Sequence, residues 1–228
     1  VDGVLKRARS TSRVAELSVQ VKNDQLKGFT GIAHTRWATH GAPATHNAHP
    51  HFSPNTANAR IALVHNGIIE NHDQLRKELI AKGYVFDSQT DTEVLGHLIA
   101  YHMYGNPHGA TGSLAGGLIP SGPLPAAELP IVPKPAVPRL SLLDAVLATL
   151  AEVVGTFGMV VLSLDDPGTI VAARRGSPLL VGIGKDEYVV ASDASAIVAH
   201  TSNVIYLEDN EAVEITSGRL RTVTPKAS

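Results

Sequence analysis

The stretch FGMVVLSLDDPGTIVAARRGSPLLVGIG, residues 157–184, decides the fold class of this chain. It contains three short apolar runs, Phe157–Leu164, Ile170–Arg174 and Leu179–Ile183, separated by turn residues. Short strands punctuated by Asp, Gly and Pro are typical of antiparallel pairing. One short helix is predicted over Ser192–Ala199, with Ser192 or Asp193 as its cap. Four further strands are predicted around that helix, over Tyr188–Ala191, Val204–Leu207, Ala212–Ile215 and Leu220–Val223.

Helices are predicted mainly in the first half of the chain. Helical apolar spacing favours a helix over Thr11–Lys22, with Ser10, Thr11 or Ser12 as N-cap. A second helix, capped by Asn71, is predicted through Lys82 and is ended by Gly83. A third begins at the capping box Thr90-x-x-Glu93, and a fourth covers Leu140–Val153, with Ser141-x-x-Asp144 near its start as a cap. Short strands are predicted over residues 3–8, Ile61–His65 and Tyr84–Phe86, and Gly31–Gly41 is predicted to be a short strand running into a loop. Helices followed by strands indicate an α+β fold, in which helices cover antiparallel sheets.

Residues 105–139 are rich in Gly and Pro and show no periodicity, which predicts a flexible insertion. We therefore expect one domain over residues 1–216, interrupted by this insertion. Residues 217–228 are expected to form the last strand and the start of a linker. The chain begins with Val1 rather than Met and ends on a polar TPKAS, so both ends resemble cuts in a longer protein.

Composition excludes several classes of protein. The formal net charge is −2 and there is no long Lys/Arg run, which argues against a nucleic-acid partner. No apolar stretch approaches the ~20 residues of a membrane span, and no secretory signal is present. The chain contains 0 cysteines, so disulfides, thiolate-bound zinc and a thiol nucleophile are excluded within it. A cytoplasmic location is expected.

The first polar cluster is HTRWATHG, residues 34–41. Arg36 stands at the end of a predicted strand, beside Trp37, Thr39 and His40. Its guanidinium can bind a carboxylate through two parallel hydrogen bonds. The alternative is that Arg36 forms a structural ion pair and Trp37 belongs to the core. Residue types alone leave the two interpretations equally favoured.

The second cluster is Asn66-Gly67, which follows the apolar run Ile61–His65. Asn-Gly between apolar runs is a strong hairpin signal, and a hairpin turn is the interpretation favoured locally. The alternative is an oxyanion hole, made of the Asn66 side-chain amide and the Gly67 backbone N–H.

The third cluster is SQTDTE, residues 88–93. Asp91 stands in the first turn of a predicted helix, where an acid complements the helix dipole, and this structural role is the one favoured locally. Its functional alternative is to receive an ammonium group of a ligand.

Four histidines, His40, His46, His49 and His51, lie within a Pro/Asn/Ala-rich loop. They raise the possibility of a metal hydrolase, but they lack the helical i,i+4 spacing of the HExxH motif. We predict no metal site. The turn-like segments RRGSP, residues 174–178, and ASD, residues 191–193, are interpreted as structural.

Taken together, the clusters resemble the glucosamine-6-phosphate synthase (glutamine–fructose-6-phosphate aminotransferase, isomerizing) family, in its N-terminal class II glutamine amidotransferase domain. The motifs HTRWATHG, NAHPH, VHNGIIEN, TDTEV, RRGSPLL and ASD occur in that family in this order. The resemblance covers nearly all of the chain outside residues 105–139.

The resemblance implies an N-terminal nucleophile hydrolase fold, a four-layer αββα sandwich of antiparallel sheets, truncated here at its N-terminus. It implies that Arg36 binds the α-carboxylate of glutamine, that Thr39 and His40 neighbour it in a glutamine-covering loop, and that Trp37 gates the ammonia path. Asn66 and Gly67 match the oxyanion hole, and Asp91 matches the acid that holds the α-ammonium group. No cofactor is implied.

The family's reaction uses an N-terminal cysteine, with its own α-amino group as the general base. It converts glutamine to glutamate, and the ammonia aminates fructose 6-phosphate in a C-terminal sugar-isomerase domain. Neither that domain nor the cysteine is present in this sequence. We therefore expect a chain that is inactive alone and that belongs to a homo-oligomer when full length. The alternatives are a non-catalytic glutamine- or glutamate-binding module and the histidine-loop metal hydrolase.

Overall fold

The computed structural model describes residues 4–36, 41–54, 59–107 and 140–224. Its nine strands are β1 His51–Ser53, β2 Ile61–Ile69, β3 Gly155–Ser163, β4 Ile170–Arg175, β5 Leu180–Ile183, β6 Tyr188–Ala191, β7 Val204–Tyr206, β8 Glu211–Thr216 and β9 Arg219–Val223. They form a six-stranded sheet in the order β1-β2-β3-β4-β8-β9 and a three-stranded sheet in the order β6-β5-β7. All strand pairs within the two sheets are antiparallel, as the turn pattern predicts.

Four α-helices are present in the described part: α1 Val14–Asn23, α2 His72–Ala81, α3 Asp91–Tyr104 and α4 Leu142–Glu152. Two predicted caps are confirmed, because the side chains of Thr90 and Ser141 accept hydrogen bonds from the N–H groups three residues ahead. Glu93 departs from the capping box: its carboxylate accepts from the N–H groups of Asp87 and Ser88. None of the helices in the described residues is long and apolar enough to span a bilayer.

The core lies on both faces of the six-stranded sheet. One cluster joins α2, α3 and α4 to alternate residues of the sheet, among them Ile61, Leu63, Phe157 and Met159. Residues from the opposite face of the sheet, including Val160, pack against the three-stranded sheet. The result is a helix–sheet–sheet stack, with Ile197 packed over Gly182 on the small sheet. The α+β prediction is therefore confirmed.

The N-terminal segment differs from its prediction. Residues 4–8 and 31–36 form no strand, and the cap of α1 is Arg13, so the three serine and threonine candidates were wrong. The helix has no buried residue. Val14, Leu17 and Val21 instead line a cavity of about 1180 Å³ between this segment and the sheet. The apolar pattern of α1 correctly predicted a helix. Within the described residues, no core packs against its apolar face.

Two further predictions were wrong, and one strand was missed. Tyr84–Phe86 is not a strand, and the helix over Ser192–Ala199 is only the short 3₁₀ turn Ala194–Ala196, capped by Asp193, one of its two predicted candidates. The missed strand is β1. The boundaries 1–216 and 217–228 stay predictions, although β9 pairs with β8 within the large sheet. Most of the Gly/Pro-rich insertion, residues 108–139, lies outside the described residues.

Candidate active site

Asn66 and Gly67 lie inside β2 and not in a hairpin turn. They pair in register with Gly158 and Phe157 of β3, so the hairpin prediction was wrong. Gly67 has a φ of +134°, and a Cβ added there would lie 2.2 Å from the carbonyl oxygen of Thr156. The glycine is therefore required by a close approach of two strands, which a two-residue sequence signal does not distinguish from a turn.

The backbone N–H groups of β2 alternate between its two edges, as in any antiparallel strand. The N–H of Ile69 donates to Asp91 Oδ2 at 2.9 Å, and the N–H of His65 donates to His49 Nδ1 at 3.4 Å. Both groups therefore point away from β3. Gly67 lies midway between them along the strand, so we expect its N–H to face the same edge by this alternation.

The side chain of Asn66 is held by His34. The distance from His34 Nε2 to Asn66 Oδ1 is 2.8 Å. Because an amide oxygen only accepts, His34 Nε2 carries the proton and donates, provided that the amide oxygen is the atom facing the ring. Burial lowers the pKa of His34, so the ring is neutral and donates from Nε2 alone. The amide nitrogen of Asn66 then points away from His34.

Three histidines, of which His49 and His51 are buried and His34 is half-buried, pack against one another next to this strand. His34 stacks on His49 with ring centroids 4.0 Å apart, and His49 meets His51 edge-on at 5.0 Å. Burial, followed by the neighbouring positive side chains Arg9, Arg7 and Arg36, lowers the pKa of His51 to about 3.

Burial, with the neighbouring histidines, also holds the pKa of His49 far below its usual range. The histidine group is therefore a set of neutral rings that packs the strand. No three His, Cys, Asp or Glu side chains in the described ranges are placed to hold a metal ion. His46 is exposed and His40 lies outside these ranges, so the histidine-loop metal hydrolase finds no support here.

Asp91 is the first residue of α3 and is only 5% exposed. Its hydrogen bond to Ile69 joins it to β2 two residues beyond Gly67. The predicted ammonium-binding acid and the predicted oxyanion donors are thus brought together by one strand. Thr90, the cap of this helix, also bonds His51 at 3.1 Å, which ties the helix start to the histidine group.

Arg36 is half-buried, and its guanidinium donates to two backbone carbonyls. Nη2 lies 3.0 Å from the oxygen of Gly41, and Nη1 lies 3.4 Å from the oxygen of Ala42. Trp37, Thr39 and His40 lie outside the described residues.

Asn47 and Gln89 were not singled out from the sequence, yet their side chains connect the two ends of the site. Asn47 donates to the carbonyl of Ala42 at 3.0 Å and to Gln89 Oε1 at 3.2 Å. The available signal was the position of Asn47 at the start of the NAHPH motif and of Gln89 directly before the capping box.

The RRGSP segment is structural, as predicted. Arg175 donates to the carbonyls of Val153 and Leu150 at the end of α4 and to Asn210, and the carbon of its guanidinium lies 4.9 Å from the ring centre of Phe157. Cations at a helix C-terminus complement the exposed carbonyls there.

Comparison with known proteins shows which family the chain resembles. The family described as "Glutamine amidotransferase domain" matches residues 34–118. Over 221 residues the chain is 47% identical to glutamine–fructose-6-phosphate aminotransferase [isomerizing] of Bordetella pertussis, covering 96% of this chain and 30% of that protein. Over 211 residues it is 43% identical to the protein of the same name from Bacteroides thetaiotaomicron, covering 92% of this chain and 29% of that one. The chain belongs to the glutamine amidotransferase domains of this aminotransferase family.

The fold of the amidotransferase domain is shared with a solved structure. Glutamine phosphoribosylpyrophosphate amidotransferase from B. subtilis superimposes with a TM-score of 0.57 at 23% identity, covering 84% of this chain and 34% of that one. This likeness concerns the fold alone, and it agrees with the predicted α+β arrangement of antiparallel sheets and helices. Of the predicted four αββα layers, the described residues form one helical layer and the two sheets. The amidotransferase domain spans less than a third of the length of the relatives named above.

Proposed function

We propose that this domain binds L-glutamine by its α-amino acid head and stabilises the oxyanion formed when the side-chain amide is attacked. Arg36 receives the α-carboxylate, Asp91 receives the α-ammonium group, and Asn66 with the Gly67 N–H receives the oxyanion. One observation carries the proposal. The N–H groups of His65 and Ile69, two residues before and after Gly67, donate to His49 and Asp91. By the alternation of a strand, the Gly67 N–H is expected to face the same edge, where Asp91 would hold a ligand.

The chemistry needs a thiol that these 228 residues do not contain, since they include 0 cysteines. An N-terminal cysteine of the whole protein attacks the amide carbon, with its own α-amino group as the base. The tetrahedral oxyanion collapses to a thioester with loss of ammonia, and water then releases glutamate. The described residues orient the substrate and stabilise the charge; they supply no nucleophile.

In the whole protein, the ammonia passes to a sugar-isomerase domain that converts fructose 6-phosphate to glucosamine 6-phosphate. This part of the proposal rests on the relatives named above, which carry the aminotransferase name. The homo-oligomer and the cytoplasmic location expected from the sequence belong to the same proposal. So do the roles of Thr39 and His40 in covering glutamine and of Trp37 in gating ammonia.

The binding half of the proposal is tested by calorimetry with L-glutamate on the 228-residue chain. We expect binding in the micromolar-to-millimolar range. Arg36→Ala and Asp91→Asn should each weaken it at least tenfold; the asparagine keeps an oxygen that can accept from Ile69 and removes only the charge. Asp144→Asn is the matched control, because Asp144 is an acid in the first turn of α4, away from the site. Equal affinity in the Asp91 and Asp144 variants would contradict the assignment of Asp91.

The catalytic half is tested by measuring glutamate release from glutamine. We expect none from this chain. In the longer protein that supplies the cysteine, we expect activity that Asn66→Ala lowers by about 10²–10³ in kcat, the usual cost of removing one oxyanion donor. Release of glutamate by the 228-residue chain would show that the thiol is unnecessary.

A second candidate function follows from the absence of cysteine in the sequence. The domain would then be a glutamine- or glutamate-binding module without catalysis. Both functions predict that the chain binds L-glutamate in the calorimetric experiment. They differ in the longer protein, where a binding module would release no glutamate from glutamine.

A further inference from the structure

Asn47 is fully buried, and its side-chain amide bonds to two separate parts of the chain. Nδ2 donates to the carbonyl of Ala42 at 3.0 Å and to Gln89 Oε1 at 3.2 Å, and Oδ1 accepts from the Gln89 N–H at 3.0 Å. Its exposed fraction is 0%. A buried amide with three hydrogen bonds of this kind fixes the position of its partners.

Each partner of Asn47 belongs to a different half of the candidate site. The carbonyl of Ala42 also accepts from the guanidinium of Arg36, at 3.4 Å. Gln89 stands two residues before Asp91, at the start of α3. The amide of Asn47 therefore lies on a continuous path of hydrogen bonds and short backbone links from the proposed carboxylate-binding arginine to the proposed ammonium-binding acid.

Gly41 packs closely against the side chain of Asn47. Gly41, whose carbonyl is the other acceptor for Arg36, has a φ of +77°. A Cβ at Gly41 would lie 2.7 Å from Asn47 Nδ2 and 3.1 Å from the Cβ of Gln89. The loop that carries the arginine's acceptors thus lies directly against the paired side chains of Asn47 and Gln89.

We propose that Asn47 is a positioning residue that fixes the separation of Arg36 and Asp91, and so selects ligands carrying both an α-carboxylate and an α-ammonium group. The inference rests on the function proposed above. In an α-amino acid the two charges are attached to one carbon, so their spacing is fixed. A site whose two charged groups are held at the matching spacing can bind both charges of the ligand together. A site in which that spacing varies gains binding free energy mainly from one of the two charges.

The test compares three ligands that share the same distal carboxylate: L-glutamate, 4-aminobutanoate, which lacks the α-carboxylate, and glutarate, which lacks the α-ammonium group. Affinities are measured by calorimetry or NMR titration on the full 228-residue chain. In the wild type we expect glutamate to bind at least tenfold more tightly than either analogue. In Asn47→Ala we expect glutamate to weaken by about 10- to 100-fold, as a displacement of about 1 Å in a positioned group can cause. The analogues should change by less than about threefold, which removes the preference.

A second variant and a control distinguish a loss of positioning from a general loss of structure. Asn47→Asp keeps an oxygen for the Gln89 N–H but removes the donor to Ala42, and we expect it to lose the preference as Asn47→Ala does. Asn71→Ala is the matched control, because Asn71 also bridges two backbone segments, donating to the Glu152 carbonyl at 2.9 Å and accepting from the Val154 N–H at 3.0 Å. It should lower the midpoint of thermal unfolding without changing the ligand preference.

Three outcomes would overturn the inference. If all three ligands weaken by the same factor in Asn47→Ala, Asn47 supports the fold and not the spacing. If Arg36→Ala removes the preference and Asn47→Ala leaves it intact, the proposed function stands and the positioning role fails. A wild-type chain with no preference for glutamate would overturn both together.

Discussion

Acidification should destabilise this domain at a pH where most proteins' carboxylates are still ionised. His51 and His97 are buried, with exposed fractions of 2% and 0%. Burial lowers the pKa of His51 to about 3 and that of His97 to about 4. In the unfolded chain both rings return to a pKa near 6.5. Between pH 6.5 and about 4 the unfolded state therefore binds more protons, and the free energy of unfolding falls as the pH falls.

The magnitude follows from proton linkage. At pH 5.5, one unit below the unfolded pKa, each such histidine removes about 1.4 kcal/mol of stability relative to pH 7.5. The two together remove about 3 kcal/mol, a large part of the 5–15 kcal/mol typical of a domain. The lowered pKa values of His34, His49 and His65 act in the same direction. Above pH 7.5 these histidines are neutral in the unfolded chain as well, so this loss in the free energy of unfolding is absent.

Both ring nitrogens of His97 have a hydrogen-bond partner. Its Nδ1 lies 2.7 Å from Ser53 Oγ and its Nε2 lies 3.1 Å from the carbonyl of Val85. Glu93 Oε1 is 3.7 Å from the same Nε2. That carboxylate already accepts hydrogen bonds from Asp87 and Ser88, so burial decides and the ring is neutral.

The assay is urea unfolding followed by circular dichroism at pH 7.5, 6.5 and 5.5, with the free energy extrapolated to water. In His51→Gln and in His97→Gln the loss between pH 7.5 and 5.5 should be smaller than in the wild type by about 1.4 kcal/mol each, whatever the stability at pH 7.5. His46→Gln, which replaces an exposed histidine, is the control and should retain the wild-type loss. Parallel pH curves for the wild type and both buried-site variants would refute the reasoning.

Three substitutions test the framework of the site by urea unfolding. Gly67→Ala places a methyl group 2.2 Å from the Thr156 carbonyl at a positive φ, so we expect a loss of about 3 kcal/mol, and an unchanged stability would contradict the close strand approach. Thr90→Ala removes the helix cap and the partner of His51, for a loss of about 2–3 kcal/mol; Thr90→Ser keeps both and should cost less than 1 kcal/mol. Arg175→Lys cannot reproduce three guanidinium hydrogen bonds and should cost about 2 kcal/mol, whereas a loss below 0.5 kcal/mol would show that charge alone suffices.

The sequence predicts best where one local signal decides the structure. The strand Tyr188–Ala191 was predicted to the residue, and the strands of β3, β4, β5, β7, β8 and β9 within one or two residues at each end, because alternating apolar runs between turns have few other solutions. The caps Thr90, Ser141 and Asp193 were confirmed for the same reason.

Prediction fails where a distant segment decides. Asn66-Gly67 has the local signature of a hairpin, yet β3, some ninety residues later, pairs with it throughout and makes it strand. Asn71 was predicted to cap α2 with its side chain, and it bonds Glu152 and Val154 instead. The position of Asp91 in a first turn could be predicted, but not its bond to Ile69, which joins two elements far apart in sequence. The hydrogen bonds between Asn47 and Gln89 could not be predicted from local patterns for the same reason.

The edge of β2 that faces the site has a consequence for how the domain behaves among other chains. Within the described residues β1 pairs with Ile61–Leu63, so beyond Leu63 this edge could act as a template for a foreign strand. A strand that adds to an edge needs a row of donors, but the N–H groups of His65 and Ile69 donate to side-chain acceptors. In the part of the chain that the structure describes, the donor expected between them is the Gly67 N–H, which suits one ligand oxygen and offers little to an extended peptide. The arrangement that prepares the site for a small molecule thus also protects the domain from edge-to-edge aggregation.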